Sequence, residues 1–173
     1  MKRVLVAIDF LETTDKVINY AKKMIKESRG QLLIVHSETL ESYLSSITTE
    51  FSQTPSMELI NAQKKQLEDR LKEIHNNLSK DGIKAEYVLM EGSTVDNILK
   101  EADIFKADLI VIGSHKHGKF HNLLFGSIHK SLIALSQIPV LIVPSEDKDS
   151  KKLKLSATTV SYTHLTLPTI YSV

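Results

Sequence analysis

Cysteine is missing from the chain altogether. Its absence removes disulfides, thiolate nucleophiles and Cys-ligated zinc or iron–sulfur sites, so only histidine and carboxylate are left to hold a metal. An excess of either charge is also lacking, because 22 Lys and Arg face 21 Asp and Glu for a net charge of +1. That balance gives no electrostatic ground for a nucleic acid or an anionic membrane as partner. Long hydrophobic runs are missing too. The first one, starting at Val4, stops at Asp9, short of the roughly 7 to 15 residues of a signal-peptide core. No later run approaches the ~18 residues needed to span a bilayer. These absences together predict a cytoplasmic protein.

What is present is the composition of an ordinary globular chain: 173 residues, 42% hydrophobic and 25% charged. That length suits one compact domain, which buries roughly 70% of its unfolded surface. Four short runs rich in β-branched residues, Val4 to Ile8, Leu32 to Val35, Leu109 to Ile112 and Val140 to Val143, read as strands buried on both faces. A more mixed run, Ala85 to Met90, fits an edge strand. Between the runs the apolar residues recur with helical period. Val17, Tyr20, Ala21, Met24 and Ile25 form one stripe, with Thr13 or Thr14 as N-cap and Gly30 as a C-terminal signal. After Pro55, residues Ile60, Leu67, Leu71, Ile74 and Leu78 form a second, ended by Gly82. Ser93 precedes a third, Val95, Ile98, Leu99, Ala102 and Phe105, with Asp96 completing a variant capping box. Ser127 opens the last, Ile128, Leu132 and Leu135, which closes before Pro139.

Strand and helix thus alternate, the pattern of an α/β fold with one open parallel sheet, helices on both faces and right-handed crossovers. Residues 38 to 56 interrupt it, and Leu40, Tyr43, Leu44, Ile47 and Phe51 predict a short helix there. The domain is expected to fill residues 1–146. Residues 147–173 begin with mixed charge and hold eight Ser or Thr between Ser156 and Val173; they read as a solvated, dispensable or non-native tail, with an added strand or partner-binding segment as the alternative.

In an open parallel sheet ligands bind beyond the carboxyl ends of the strands, where the strand order reverses. The stretch after the run Leu109 to Ile112 stands out there. It carries Gly113 and Gly118, runs on to Phe125 and reaches Gly126-Ser127 as a helix begins. Glycine lets backbone approach an anion, and free N–H groups at a helix start donate to it. The Ser127 hydroxyl either bonds a phosphate or its magnesium ion, or serves as the N-cap alone.

With these residues in place, the chain resembles the universal stress proteins. The resemblance rests on Arg3 to Asp9, the Glu91-Gly92 turn, the run from Ala107 to His115, the Leu124-Phe125-Gly126-Ser127 block, and the run from Ile138 to Pro144. It implies a five-stranded parallel sheet of order 3-2-1-4-5, of the adenine nucleotide alpha hydrolase-like kind. Nucleotide-binding members carry Gly-x2-Gly-x9-Gly-Ser/Thr. Here Gly113 matches the first glycine and Gly126-Ser127 the closing pair, while the middle position is Lys116. A side chain at that place resists positive φ, although the Lys116 ammonium can face phosphate and Gly118 leaves the loop freedom.

The resemblance further implies that Asp9 contacts the adenine or ribose, with a turn-capping carboxylate as the alternative. It places Ser37 at the adenosine side through its backbone, and Ile128 at the phosphates through its N–H. The implied function is a stress-response or regulatory protein binding an adenine nucleotide, ATP with Mg2+, as a homodimer paired through its last strand and acting on an undetermined protein partner. The alternative is a homodimeric scaffold of the same fold that binds no nucleotide. His115, His117, His121 and His129 raise a metal site, against which stands the lack of a carboxylate in that loop. His36 is expected to be a hydrogen-bonded structural residue. Catalytic carboxylate pairs, a Ser-His-Asp set and a Walker sequence are missing from recognisable contexts. No dedicated catalytic residue is therefore assigned, and at most slow ATP hydrolysis is expected.

Overall fold

A computed structural model describes residues 2–39, 57–114 and 127–145. Along the chain these form β1 (Arg3–Ala7), α1 (Thr14–Lys26), β2 (Gln31–Glu38), α2 (Met57–Lys80), β3 (Lys84–Glu91), α3 (Thr94–Ile104), β4 (Leu109–Ser114), α4 (Ser127–Leu135) and β5 (Val140–Pro144). The strands make one parallel sheet in the order β3-β2-β1-β4-β5. The implied order is therefore the observed one. β1 lies at the centre, its Val4 opposite Leu32 of β2 on one side and Leu109 of β4 on the other. The short helix expected within residues 38–56 and the tail 147–173 lie outside the described residues.

Strand periodicity sorts the apolar side chains onto two faces. Val4, Val6, Leu32, Ile34, Leu109 and Val111 pack against Val17, Ala21 and Ile25 of α1 and Leu71 and Leu78 of α2. The alternate residues Leu5, Leu33, Val35, Ile110 and Ile112 pack against Ile98 and Ala102 of α3 and Leu132 of α4. Both faces are thus covered, which explains why the central strands carry unbroken apolar runs. Each such side chain, fully buried, contributes about 1.5–3 kcal/mol. β3 is the edge strand its mixed composition predicted, and β5 forms the other edge.

Several local expectations are corrected. Tyr20 and Met24, placed on the buried stripe of α1, are 40% and 39% exposed, because the face turned to the sheet is shifted toward Thr14 and Ile18, which are buried with Val17, Ala21 and Ile25. On α4 only Leu132 is buried; Ile128 and Leu135 face outward. Thr13 caps α1 without a side-chain bond and itself has helical backbone angles. Ser93 likewise makes no side-chain cap bond, so the predicted capping box does not form. Gly30 is not the left-handed residue that ends α1; that residue is Arg29, at φ +49°. Gly30 is glycine for space, since a Cβ there would lie 2.6 Å from the Lys2 carbonyl oxygen. Gly82, by contrast, has φ +73° and ends α2 as a left-handed turn.

Candidate functional site

The chain reverses its direction of travel across the sheet between β1 and β4, so the carboxyl ends of these two strands border a crevice. Asp9 stands just beyond β1, Gly113 in the last turn of β4, and Ser127 and Ile128 in the first turn of α4, both exposed. Ser37 lies near the end of the neighbouring β2. Five of the seven expected site residues are therefore at the same end of the sheet. Lys116 and Gly126 lie outside the described residues, as do His115, His117 and His121. Among the described residues, no group of three potential metal ligands comes together.

Asp9 is in the turn-capping role that was its alternative: its Oδ1 accepts from the Leu11 N–H at 3.0 Å. The bond fixes the carboxylate in the turn just beyond the carboxyl end of β1. Phe10, next in the chain, adopts φ +58°, and its ring meets the His36 imidazole in a tilted contact, 4.6 Å between centroids and 57° between planes. Arg70 of α2 also lies over that ring, its guanidinium carbon 4.1 Å from the centroid, and donates to the Phe10 carbonyl at 3.3 Å. His36 is buried and its Nδ1 lies 2.8 Å from the Ile8 carbonyl oxygen, so that nitrogen carries the proton. The structural reading of His36 is thereby met. Its Nε2, 3.7 Å from Glu38 Oε1, has no hydrogen-bond partner among the described residues.

Gly113 turns out to be required by packing as well as by any ligand. A Cβ on it would lie 2.4 Å from Thr13 Oγ1 and 3.2 Å from a Val17 methyl. Glycine here lets the start of α1 close onto β4. Opposite, His129 in the first turn of α4 has Nε2 2.7 Å from the Gly113 carbonyl oxygen. Because a carbonyl only accepts, the imidazole donates, and α4 is tied to the end of β4. The Ser145 N–H donates to the Ser114 carbonyl, fixing the chain after β5 to the same place.

On the same face as α4, toward the β3 edge, Asn97 of α3 donates through Nδ2 to Ser37 Oγ at 2.9 Å and to the Glu91 carbonyl at 3.0 Å. Ser37 thus has an engaged side chain and is set in place by it. Sequence reading assigned nothing to Asn97, Phe10 or Arg70, and to Thr13 only a candidate N-cap role. A polar Asn on a stripe of apolar residues was the one available signal; the others meet their partners only across elements distant in the chain.

Comparison with known proteins adds the following. The family model described as Universal stress protein family matches residues 1–144. A universal stress protein of Helicobacter pylori is 32% identical, covering 80% of this chain and 97% of its own length. The solved structure of MJ0577, from Methanocaldococcus jannaschii, is 23% identical and superposes with a TM-score of 0.69 over 84% of this chain and 97% of that one. A universal stress protein solved in complex with cAMP is 20% identical, with a TM-score of 0.60 over 84% of this chain and 98% of that one.

Proposed function

The chain belongs to the universal stress protein family, and we propose that it is a stress-response or regulatory protein whose crevice between β1 and β4 takes up an adenine nucleotide. The observation that carries this reading is the convergence of Asp9, Gly113 and the exposed first turn of α4 at the switch point of the sheet. Each supplies a different kind of contact. Asp9 offers a carboxylate oxygen to the ribose or base. The Ser127 and Ile128 N–H groups, left over by helix geometry, face the phosphates with the positive end of the helix dipole behind them. Ser127 also offers its hydroxyl to a phosphate oxygen or to Mg2+. That one fold-level neighbour was solved with cAMP supports the adenine class. ATP with Mg2+ is the form proposed here, with Lys116 and Gly126 completing the set.

Titration calorimetry with ATP and magnesium tests it on three proteins. Wild type should bind, Gly126→Val should abolish binding by filling the space of a phosphate, and Lys116→Gly should tighten binding by restoring the family's spacing. If Lys116→Gly weakens binding instead, its ammonium is a phosphate ligand. No heat in all three would reject the nucleotide and leave the second reading, favoured by Lys116 at the middle position: a homodimeric scaffold acting through surface contacts.

A further inference from the structure

A cleft of about 1030 Å³ lies at the other pole of the molecule, between the end of α1, the turn into β2 and the turn from α2 into β3. Its size is at the upper end of the roughly 300–1,000 Å³ of small-molecule sites. Ile25 and Ile83 contribute its apolar floor, and its walls carry Lys22, Lys23, Lys26, Arg29 and Lys84 against a single carboxylate, Asp81. The whole chain has a net charge of only +1. The cleft therefore gathers an excess of positive charge that a small negative excess elsewhere nearly balances.

The ordinary reason for cations here is that α1 and α2 both end at the cleft, and helix C-termini favour them. That accounts for Lys23 and Lys26, in the last turn of α1. It does not account for the rest, because the terminal carbonyls are already served: Gly30 N–H and Ser28 Oγ donate to Ile25 O, Ile83 N–H to Leu78 O and Gly82 N–H to Ser79 O. Lys22 is paired with Asp81 at 2.6 Å. Lys23, Lys26, Arg29 and Lys84 make no ion pair among the described residues. Arg29 also sits in a left-handed conformation that costs a non-glycine residue energy, and it does so at the cleft wall. Unneutralised charges of one sign lining a concave, low-dielectric surface focus its potential on an anion.

We propose that this cleft is a second ligand site, separate from the carboxyl-end crevice, for a small organic polyanion. Its apolar or aromatic body rests on Ile25 and Ile83, and two or more phosphate, sulfate or carboxylate groups meet Lys23, Lys26, Arg29 and Lys84. The floor is what distinguishes such a ligand from a bare inorganic anion. This inference does not depend on nucleotide binding at the crevice.

The probe is 8-hydroxypyrene-1,3,6-trisulfonate, an aromatic trianion, followed by fluorescence anisotropy and calorimetry at low salt with the full chain. One molecule should bind per chain. Lys26→Glu with Arg29→Glu should weaken it by about tenfold or more, as reversed contact charges do, while Lys65→Glu with Lys100→Glu, an equal change of net charge at exposed positions of α2 and α3, should leave it within about twofold. Inorganic tripolyphosphate should bind more weakly than the pyrene. Circular dichroism checks the fold of each variant, and Lys26→Gln with Arg29→Gln replaces the reversal if that unfolds. Absence of binding, equal losses in the two double reversals, or tripolyphosphate binding as tightly as the pyrene would each overturn the site.

Discussion

Gly113 shows how one missing Cβ serves two neighbours. The family spacing draws attention to it as a phosphate-loop residue, yet the contact it makes in the fold is with Thr13. Gly113→Ala should therefore destabilise the domain by about 1–3 kcal/mol, the usual cost of overpacking, in urea denaturation without ligand. Thr13→Ala removes the oxygen that the new Cβ would meet, so the double variant should be more stable than the sum of the single losses. Additive losses would mean that Gly113 is not held by this contact. Asp108 makes a different point at the amino end of the sheet. Its Oδ2 accepts from the Arg3 and Lys2 N–H groups at 2.9 and 2.7 Å, and the Arg3 bond first, then the Lys2 bond, holds its pKa below the ordinary 3.8. The sign follows from linkage: the unfolded chain binds the proton more readily, so this stabilisation is complete above the unfolded pKa and is lost as pH falls through the lowered folded value. Asp108→Asn should flatten part of the loss of stability below pH 3.8, read from urea midpoints across the acid range; an unchanged acid limb would show that other carboxylates govern it.

Among the elements, α4 is the one whose position matters most to the crevice and whose own packing is thinnest. It has nine residues with only Leu132 fully buried, whereas α2 anchors through Leu67, Leu71 and Leu78. The bond from His129 to the Gly113 carbonyl compensates by tying its first turn to β4. His129→Ala should cost about 1 kcal/mol locally, seen as roughly fivefold faster amide exchange in residues 129–135, with β1 and β4 unaffected. His129→Gln places a donor at similar reach and should restore protection. If both variants exchange alike, the bond does not anchor the helix.

For the molecule as a whole, the free side of β5 is the feature that asks for a partner. Val140, Leu141 and Ile142 are only half-buried, and β5 pairs with β4 alone among the described residues. An apolar strand left so at a sheet edge is a template for pairing, and a homodimer through the last strands is proposed. Light scattering at micromolar concentration should give the mass of two chains; a single-chain mass rejects it. Among the described residues the last member of the two apolar clusters is Val143, and the family match ends at residue 144. We accordingly propose that the domain needs no more than residues 1–146, so that deleting residues 150–173 should leave the melting temperature unchanged; a fall of several degrees would place the tail in the fold.

The layers of this molecule were legible in the chain because they follow from local periodicity. Val4 to Ile8 and Leu109 to Ile112 could only be doubly covered strands, and the stripes at Leu67, Leu71 and Leu78 or Ile98 and Ala102 could only be helices against them. The order of the strands came from resemblance, as alternation alone fixes class and handedness but not neighbours. Where one-dimensional reading failed, a partner far along the chain decided the outcome. Tyr20 and Met24 satisfy the helical period of α1 as well as Val17 does, and only the rotation at which the helix docks on the sheet, with Ile18 turned inward, determines which are covered. Gly30 and Gly113 read as a cap and a loop glycine, but their need for a bare Cα is set by Lys2 and Thr13 pressing from another element. The same holds for the cationic cleft: Lys22, Lys26, Arg29 and Lys84 are unremarkable in a balanced composition, and tertiary structure alone brings the end of α1 and the start of β3 together, because parallel strands put both of these turns at the same end of the sheet.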